Sequence, residues 1–246
     1  VVEPLFFAAI GDDTKVGSRF VISGSEAKHA VSVRRMEAGE AISVTDGAGK
    51  KVRGNVTAVG KDFLELEVSE IDNVNPPNCK IYLVQALAKG DRDELAIQAC
   101  TELGVQGVIP WQADRSVSVW KDEKKQKGQL RWQTIVSEAA KQSLRAFVPT
   151  VESVVDSQNL GVRLKQFDQV LILHTEGATS ITEAKFPEQG SVAIVVGPEG
   201  GLSDQEVELF KAAGFTSVHL GAGVLRTSTA GMAAVSYLQS KLGDWN

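Results

Sequence analysis

Apolar and polar positions follow two different rhythms along the 246 residues of the chain. Up to about residue 72 the apolar positions fall in short alternating runs, at 20–22, 41–45, 52–59 and 63–68, separated by turn signals at Asp46-Gly47, Gly49 and Gly60. Short strands at this spacing predict a small β-barrel. The segment SEAKHAVSVRRMEAGE between the first two runs predicts a short helix beginning near Ser25. Residues 73–78, NVNPPN, carry two prolines and three asparagines and predict a turn-rich linker.

From Cys79 onward strand-like and helix-like patterns alternate. A strand at 80–87 precedes a helix at 91–103, in which Ala96, Ala99, Cys100 and Leu103 fall at i, i+3, i+4 and i+7. Gly104 stops that helix, and a strand follows at 105–110. Residues 129–144 predict an amphipathic helix whose inner stripe includes Trp132, Val136, Ala140 and Leu144. Strands at 148–155 and 169–174 flank a helix around 157–166. A strand at 192–196, a helix capped by Ser203 and Glu206 and ending at Gly214, a strand at 218–220 and a helix at 227–242 complete the chain. This β-α-β rhythm implies an α/β domain built on a parallel sheet.

Two loops near the end of the chain are the candidate site. GPEGG, at 197–201, follows one strand, and LGAGVLR, at 220–226, follows the next. Open α/β sheets bind ligands at the carboxyl ends of their strands. Glu199 and Arg226 are the only ionised side chains in these loops. Neither loop carries a dinucleotide or P-loop signature. Ordinary αβ turns also favour glycine, but two such loops together favour a ligand pocket.

Composition narrows the class. At 43% apolar and 23% charged residues the chain is globular in character. Its longest uncharged run is 14 residues, at 212–225 and again at 227–240, too short to span a bilayer, so no membrane partner is expected. Two cysteines, Cys79 and Cys100, fit a reducing compartment as buried apolar groups. They and the three histidines show no metal-ligand spacing, so no metal is expected. The chain begins with Val1, compatible with a removed targeting peptide or a cut made for expression. The expected location is the cytoplasm, or an organelle's stroma or matrix. Net charge is −5, yet residues 111–150 hold 8 Lys and Arg against 4 Asp and Glu, a local excess of +4. That segment can meet phosphates although the whole chain is acidic. The run KDEKKQK at 121–127 reads as a solvated face or mobile loop, or as a long-range attractor of RNA.

GPEGGLSDQEV followed by LGAGVLRTSTA resembles the SPOUT methyltransferases, and RWQTIVSEAAKQSLR and IQACTELGVQGVIP narrow the resemblance to the bacterial-type small-subunit ribosomal RNA (uridine-N3) methyltransferase family. The resemblance implies a PUA-like β-barrel at 1–72, a linker at 73–78 and a SPOUT α/β domain with a C-terminal trefoil knot at 79–246. It implies S-adenosyl-L-methionine as cofactor, held by Leu173, His174, Gly197, Pro198, Glu199, Gly200, Gly201, Leu220, Gly221, Leu225, Arg226 and Thr227. Ribosomal RNA of the small subunit is the implied partner. Lys28, His29, Arg34, Arg35, Arg115, Arg131, Glu138, Gln142 and Arg145 are its candidate contacts. A homodimer through the C-terminal domain is also implied, and it would cover a second apolar stripe of the last helix, at Met232 and Val235. Three positions depart from the family pattern: Leu5 and Ala99 stand where it carries basic residues, and Ser228 where it carries Glu.

The implied reaction, methyl transfer to N3 of a uridine, requires an imide nitrogen to lose its proton. Arg226 stays protonated and cannot take it, but it can stabilise negative charge on a uracil oxygen. Glu199 is a candidate to accept the proton or to hold the cofactor's charged groups. Two alternatives remain: an RNA-binding protein without catalysis, and a SPOUT methyltransferase acting on another RNA such as transfer RNA.

Overall fold

The computed structural model describes residues 3–176, 178–242 and 245. They divide into two compact units. One runs to Pro76 and takes in Ala140–Val148, and the other comprises Pro77–Ala139 and the chain from Pro149 onward.

The first unit is a curled five-stranded sheet. Its strands are β1 (Leu5–Phe7), β2 (Arg19–Ser23), β3 (Ala41–Thr45), β4 (Lys50–Val59) and β5 (Phe63–Asn73), in the order β1-β3-β4-β5-β2. Every pairing is antiparallel except β1 with β3. Alternation does what the sequence predicts: Phe20 and Ile22 of β2 and Leu64, Leu66 and Val68 of β5 point into one core. Register shifts at Arg53/Gly54 and Val56/Ala58 bend β4, as bulges do. The anticipated barrel is realised as this curled sheet, and among the described residues its end strands do not pair with each other. A short helix, α1 (Gly24–Lys28), runs into a π-helical turn, His29–Val33. Residues 140–148 are held by a partly buried ion pair, Lys141 Nζ to Glu26 Oε1 at 2.8 Å. Gly47 and Ala146 accept the Val148 and Gly49 amides at 2.9 and 3.1 Å. A contiguous division at 73–78 does not anticipate this segment.

The second unit is an eight-stranded sheet, parallel throughout. Its strands are β6 (Cys79–Ala86), β7 (Gly107–Gln112), β8 (Thr150–Val151), β9 (Val155–Asp156), β10 (Gln169–Leu173), β11 (Thr179–Ser180), β12 (Gly190–Val196) and β13 (Thr216–His219). The order is β11-β13-β10-β12-β6-β7-β8, with β9 also on β7. Its helices are α2 (Arg92–Glu102), α3 (Glu123–Gln142, whose last three residues fall in the first unit), α4 (Ser157–Arg163), α5 (Asp204–Ala212) and α6 (Thr227–Leu242). Both faces of the sheet are covered. Ile81, Leu83, Val192 and Ile194 pack with residues of α2, α3 and α6, while Val84, Ala193 and Val195 pack with residues of α4 and α5. This double burial is why the strands read as unbroken apolar runs. α6 lies close over β6 because Gly231 has no side chain: a Cβ there would meet Leu83 at 3.1 Å and the Cys100 sulfur at 3.3 Å.

Two segments differ most from expectation. α3 begins at Glu123, so the basic run forms its exposed first turns, where Lys127 pairs with Glu123 at 3.0 Å. Gly128 lies inside the helix, at a position where a Cβ would overlap the Trp120 indole at 2.5 Å. The single strand expected at 148–155 is two short strands, β8 and β9.

Candidate active site

Strands β10, β12 and β13 stand side by side, and their carboxyl ends open into a cavity of about 480 Å³. Leu173 and His174 line it from the end of β10. Gly197, Pro198, Glu199 and Gly201 line it from the loop after β12, and Leu220, Leu225, Arg226 and Thr227 from the segment between β13 and α6. Gly200 and Gly221 do not line it. Gly200 backs instead onto Arg115, whose Cβ would be 3.0 Å from a Cβ added there. The walls are largely apolar, with Val196, Leu202, Val218 and Ala230 added to the positions read from sequence.

The two loops are joined at their roots. Thr227 is nearly buried and donates its hydroxyl to the Gly197 carbonyl at 2.9 Å. Gln85, at the end of β6, donates to the same hydroxyl oxygen at 2.9 Å. The far side of the α5 loop is fixed by a buried carboxylate. Glu206, 1% exposed, completes the capping box with Ser203. It also accepts the Ser157 hydroxyl at 2.7 Å and the Asp114 amide at 2.8 Å, which ties α5 to the ends of β9 and β7.

Glu199 is already engaged. Its Oε1 accepts from Arg92 at 2.9 Å and from the Lys89 amide at 3.1 Å. Partial burial pushes its carboxyl up. Hydrogen bonds from its own amide, from Lys89 and from Arg92 outweigh that and hold it below the ordinary glutamate value. Arg92 also lines the cavity and was not among the positions read from sequence. Its only sequence signal is its place just past the carboxyl end of β6. His219 was missed for the same reason. Its Nδ1 accepts the Gly221 amide at 3.2 Å.

Arg226 is different. It is exposed at the start of α6, and its guanidinium has no hydrogen-bonding or ionic partner among the described residues. Its carbonyl accepts the Thr229 and Ala230 amides, so its backbone is fixed by the helix.

Among the expected RNA contacts, Arg115 turns to the glycine loop, donating to the Leu202 carbonyl at 2.8 Å and the Gly200 carbonyl at 3.3 Å. Asp114 beside it accepts the Ser203 hydroxyl at 2.6 Å. Arg131 makes a two-pronged pair with Glu94, one arm at 2.7 Å. Glu138 and Gln142 lie exposed on α3 and Arg145 half-buried just beyond it. Lys28, His29, Arg34 and Arg35 belong to the first unit. Lys28 is 4.0 Å from Asp62, the His29 ring lies edge-on to Phe6, and Arg34 and Arg35 are exposed at the end of the π-helical turn. The apolar stripe assigned to a second copy is partly used at home: Val235 is fully buried in the chain's own core. Among the described residues no helix is long and apolar enough to cross a membrane, and no group of three or more His, Cys, Asp or Glu is placed to hold a metal.

Comparison with known proteins gives two family matches. The family described as RNA methyltransferase domain matches residues 75–239, and the RNA methyltransferase PUA domain matches residues 22–69. The ribosomal RNA small subunit methyltransferase E of Mycobacterium bovis is 36% identical, in an alignment spanning 100% of this chain and 95% of that protein. The protein of the same name from Bacillus subtilis is 38% identical over 88% of each chain. Among solved structures, a ribosomal RNA small subunit methyltransferase E from Neisseria gonorrhoeae, bound to S-adenosyl methionine, superposes with a TM-score of 0.87 at 29% identity, covering 100% of both chains. A methyltransferase from Legionella pneumophila in complex with the same cofactor gives 0.87 at 31% identity, covering 99% of this chain and 100% of that one.

Proposed function

The chain belongs to the RNA methyltransferase family of the ribosomal RNA small subunit methyltransferases E, and on that basis we propose that it methylates N3 of a uridine in small-subunit ribosomal RNA, using S-adenosyl-L-methionine. The observation that carries the reading is the cavity where the two loops meet, in a chain matched over its length by relatives of that name.

The cavity suits the cofactor. Its volume of about 480 Å³ is in the range of small-molecule sites. Apolar walls at Leu173, Val218 and Leu220 match the faces of a nucleoside, and strand-end carbonyls and amides supply polar contacts without bulky side chains. Glu199, Arg92 and His219 offer both signs of charge, or a hydrogen bond, to an amino acid end. The cofactor, when bound, supplies an electrophilic methyl group. The chain's own task is to orient the base and favour its anion. Arg226, with no partner among the described residues, is the residue placed to stabilise charge on a uracil oxygen. Glu199, clamped by two donors and held acidic, is a poor proton acceptor, so its role is to fix the loop and face the cofactor.

The first unit, with Lys28, His29, Arg34 and Arg35 exposed or half-exposed, and the basic first turns of α3 are the proposed RNA-holding surfaces. A second copy of the chain is proposed to dock on the C-terminal part, supported by Val224 at 83% exposure and Leu225 at 42% beside α6. A ribosomal RNA substrate implies a location where ribosomes assemble, in the cytoplasm or in an organelle's stroma or matrix.

Titration with S-adenosylmethionine by calorimetry tests the cofactor assignment, and no binding would favour an RNA-binding protein without catalysis. Mass spectrometry of RNA from a strain lacking the gene tests the substrate. Loss of N3-methyluridine from small-subunit RNA is expected, and loss of a different mark, or of a mark on transfer RNA, would overturn the assignment.

A further inference from the structure

We propose that Gln85 is a positioning residue for the cavity, holding the Thr227 hydroxyl against the Gly197 carbonyl and so fixing the separation of the two loops; this rests on the cofactor reading above. Gln85 lies in β6, one strand from the site and in register with Val196 of β12. It is completely buried and does not line the cavity. Its Nε2 donates to the Thr227 hydroxyl at 2.9 Å and to the Ala86 carbonyl at 3.1 Å. A hydroxyl has one proton, and that of Thr227 goes to the Gly197 carbonyl at 2.9 Å. Toward Gln85 the hydroxyl can therefore only accept, which fixes which way round the amide sits.

The orientation has a cost. Gln85 Oε1 is buried and has no hydrogen-bond partner among the described residues. Buried polar atoms in folded proteins nearly always have one, and an exception calls for a reason. The positions two before and two after Gln85, Leu83 and Leu87, are buried in the apolar core that includes α6 residues, so an unbranched apolar side chain would serve the fold at least as well. What the amide adds is a donor aimed at Thr227. That residue opens α6 directly after one loop, and Gly197 opens the other. The chain Gln85–Thr227–Gly197 thus links three elements of the site through two hydrogen bonds.

The test compares the wild type with Gln85→Met, Thr227→Ser, Thr227→Val and the double variant Gln85→Met/Thr227→Val. Melting temperature, the dissociation constant for S-adenosylmethionine, and KM and kcat on small-subunit RNA are measured for each. Gln85→Met is expected to melt no lower than the wild type, yet to bind cofactor up to about tenfold more weakly, the span of one neutral hydrogen bond. The change should fall on cofactor KM more than on kcat. Thr227→Ser keeps the hydroxyl and should retain affinity, while Thr227→Val should lose it. Adding Gln85→Met to Thr227→Val should cost nothing further, because the two act in series. A Gln85→Met protein that binds cofactor as the wild type does, or that loses affinity only in step with its melting temperature, or that fails to fold, overturns the proposal while leaving the cofactor reading in place. A wild-type chain that binds no S-adenosylmethionine removes both.

Discussion

Arg92 donates to Glu199 Oε1 at 2.9 Å, across 107 residues of sequence, and the same oxygen takes the Lys89 amide. The only carboxylate on the glycine loop after β12 is therefore a clamp between that loop and the start of α2. Its lowered pKa means that whatever stability the clamp contributes is present above the ordinary glutamate value and is lost as pH falls through the lowered one. Glu199 then does not titrate near neutrality. Glu199→Gln retains an acceptor oxygen for Lys89 and Arg92, and kcat is expected to stay within about tenfold of the wild type, with an unchanged kcat–pH profile. A fall of about 10²–10⁴-fold, the usual worth of a general base, would restore Glu199 as the proton acceptor.

Arg226 should behave in the opposite way. Its guanidinium supports no other group among the described residues, so removing it leaves the fold intact. Arg226→Ala is expected to lower kcat by about 10²–10³-fold, the typical effect of losing a donor to developing negative charge. Cofactor affinity and melting temperature should change little. Arg226→Lys keeps the charge but not the planar fork and should fall between the two. Retained turnover in Arg226→Ala would remove it from the mechanism.

The sequence assigns Arg115 to RNA, and the structure turns it to the glycine loop. A phosphate-gripping arginine, when removed, lowers the slope of log affinity against log salt for RNA by about one. An arginine that holds loop carbonyls loosens the loop instead. With donors on Leu202 and Gly200, Arg115→Ala is expected to weaken S-adenosylmethionine binding and leave the salt slope for RNA unchanged. A lower slope with unaltered cofactor affinity would return Arg115 to the RNA surface.

These cases show what the sequence made legible. The Ser203–Glu206 box, the strand at 192–196 and the helix at 227–242 rest on local pattern, and each formed where the pattern placed it. The two glycine-bearing loops could be located because loops after parallel strands follow from the rhythm of the strands. What failed to register lacks a local pattern or depends on contacts distant in sequence. α3 begins at Glu123, ahead of the predicted 129, because its first turns are polar and carry no apolar stripe to mark them. β11, two residues long, carries no periodic signal. The bonds Arg92–Glu199 and Gln85–Thr227 join residues more than a hundred positions apart, and no spacing rule reaches that far.

Asp93 provides a pH-dependent test of the same region. Its carboxylate accepts the Ala88 amide at 3.0 Å and the Glu94 amide at 2.8 Å, ordering the turn that presents Lys89 to Glu199. Burial pushes its pKa up to about 6, with the two amides opposing part of that rise. An acid whose pKa is raised on folding binds protons more tightly in the folded chain. Its contribution to stability is fully present below the ordinary aspartate value of 3.8 and is lost as pH rises through about 6. A rise of about two units corresponds to roughly 3 kcal/mol as an upper limit. Urea unfolding of the wild type should therefore carry a component that weakens between pH 4 and about 7. Asp93→Asn keeps an acceptor without the charge, so it should flatten that component and unfold at higher urea than the wild type at pH 8. If Asp93→Asn is instead less stable at pH 8, the ionised carboxylate is the better partner for the two amides, and the turn depends on its charge.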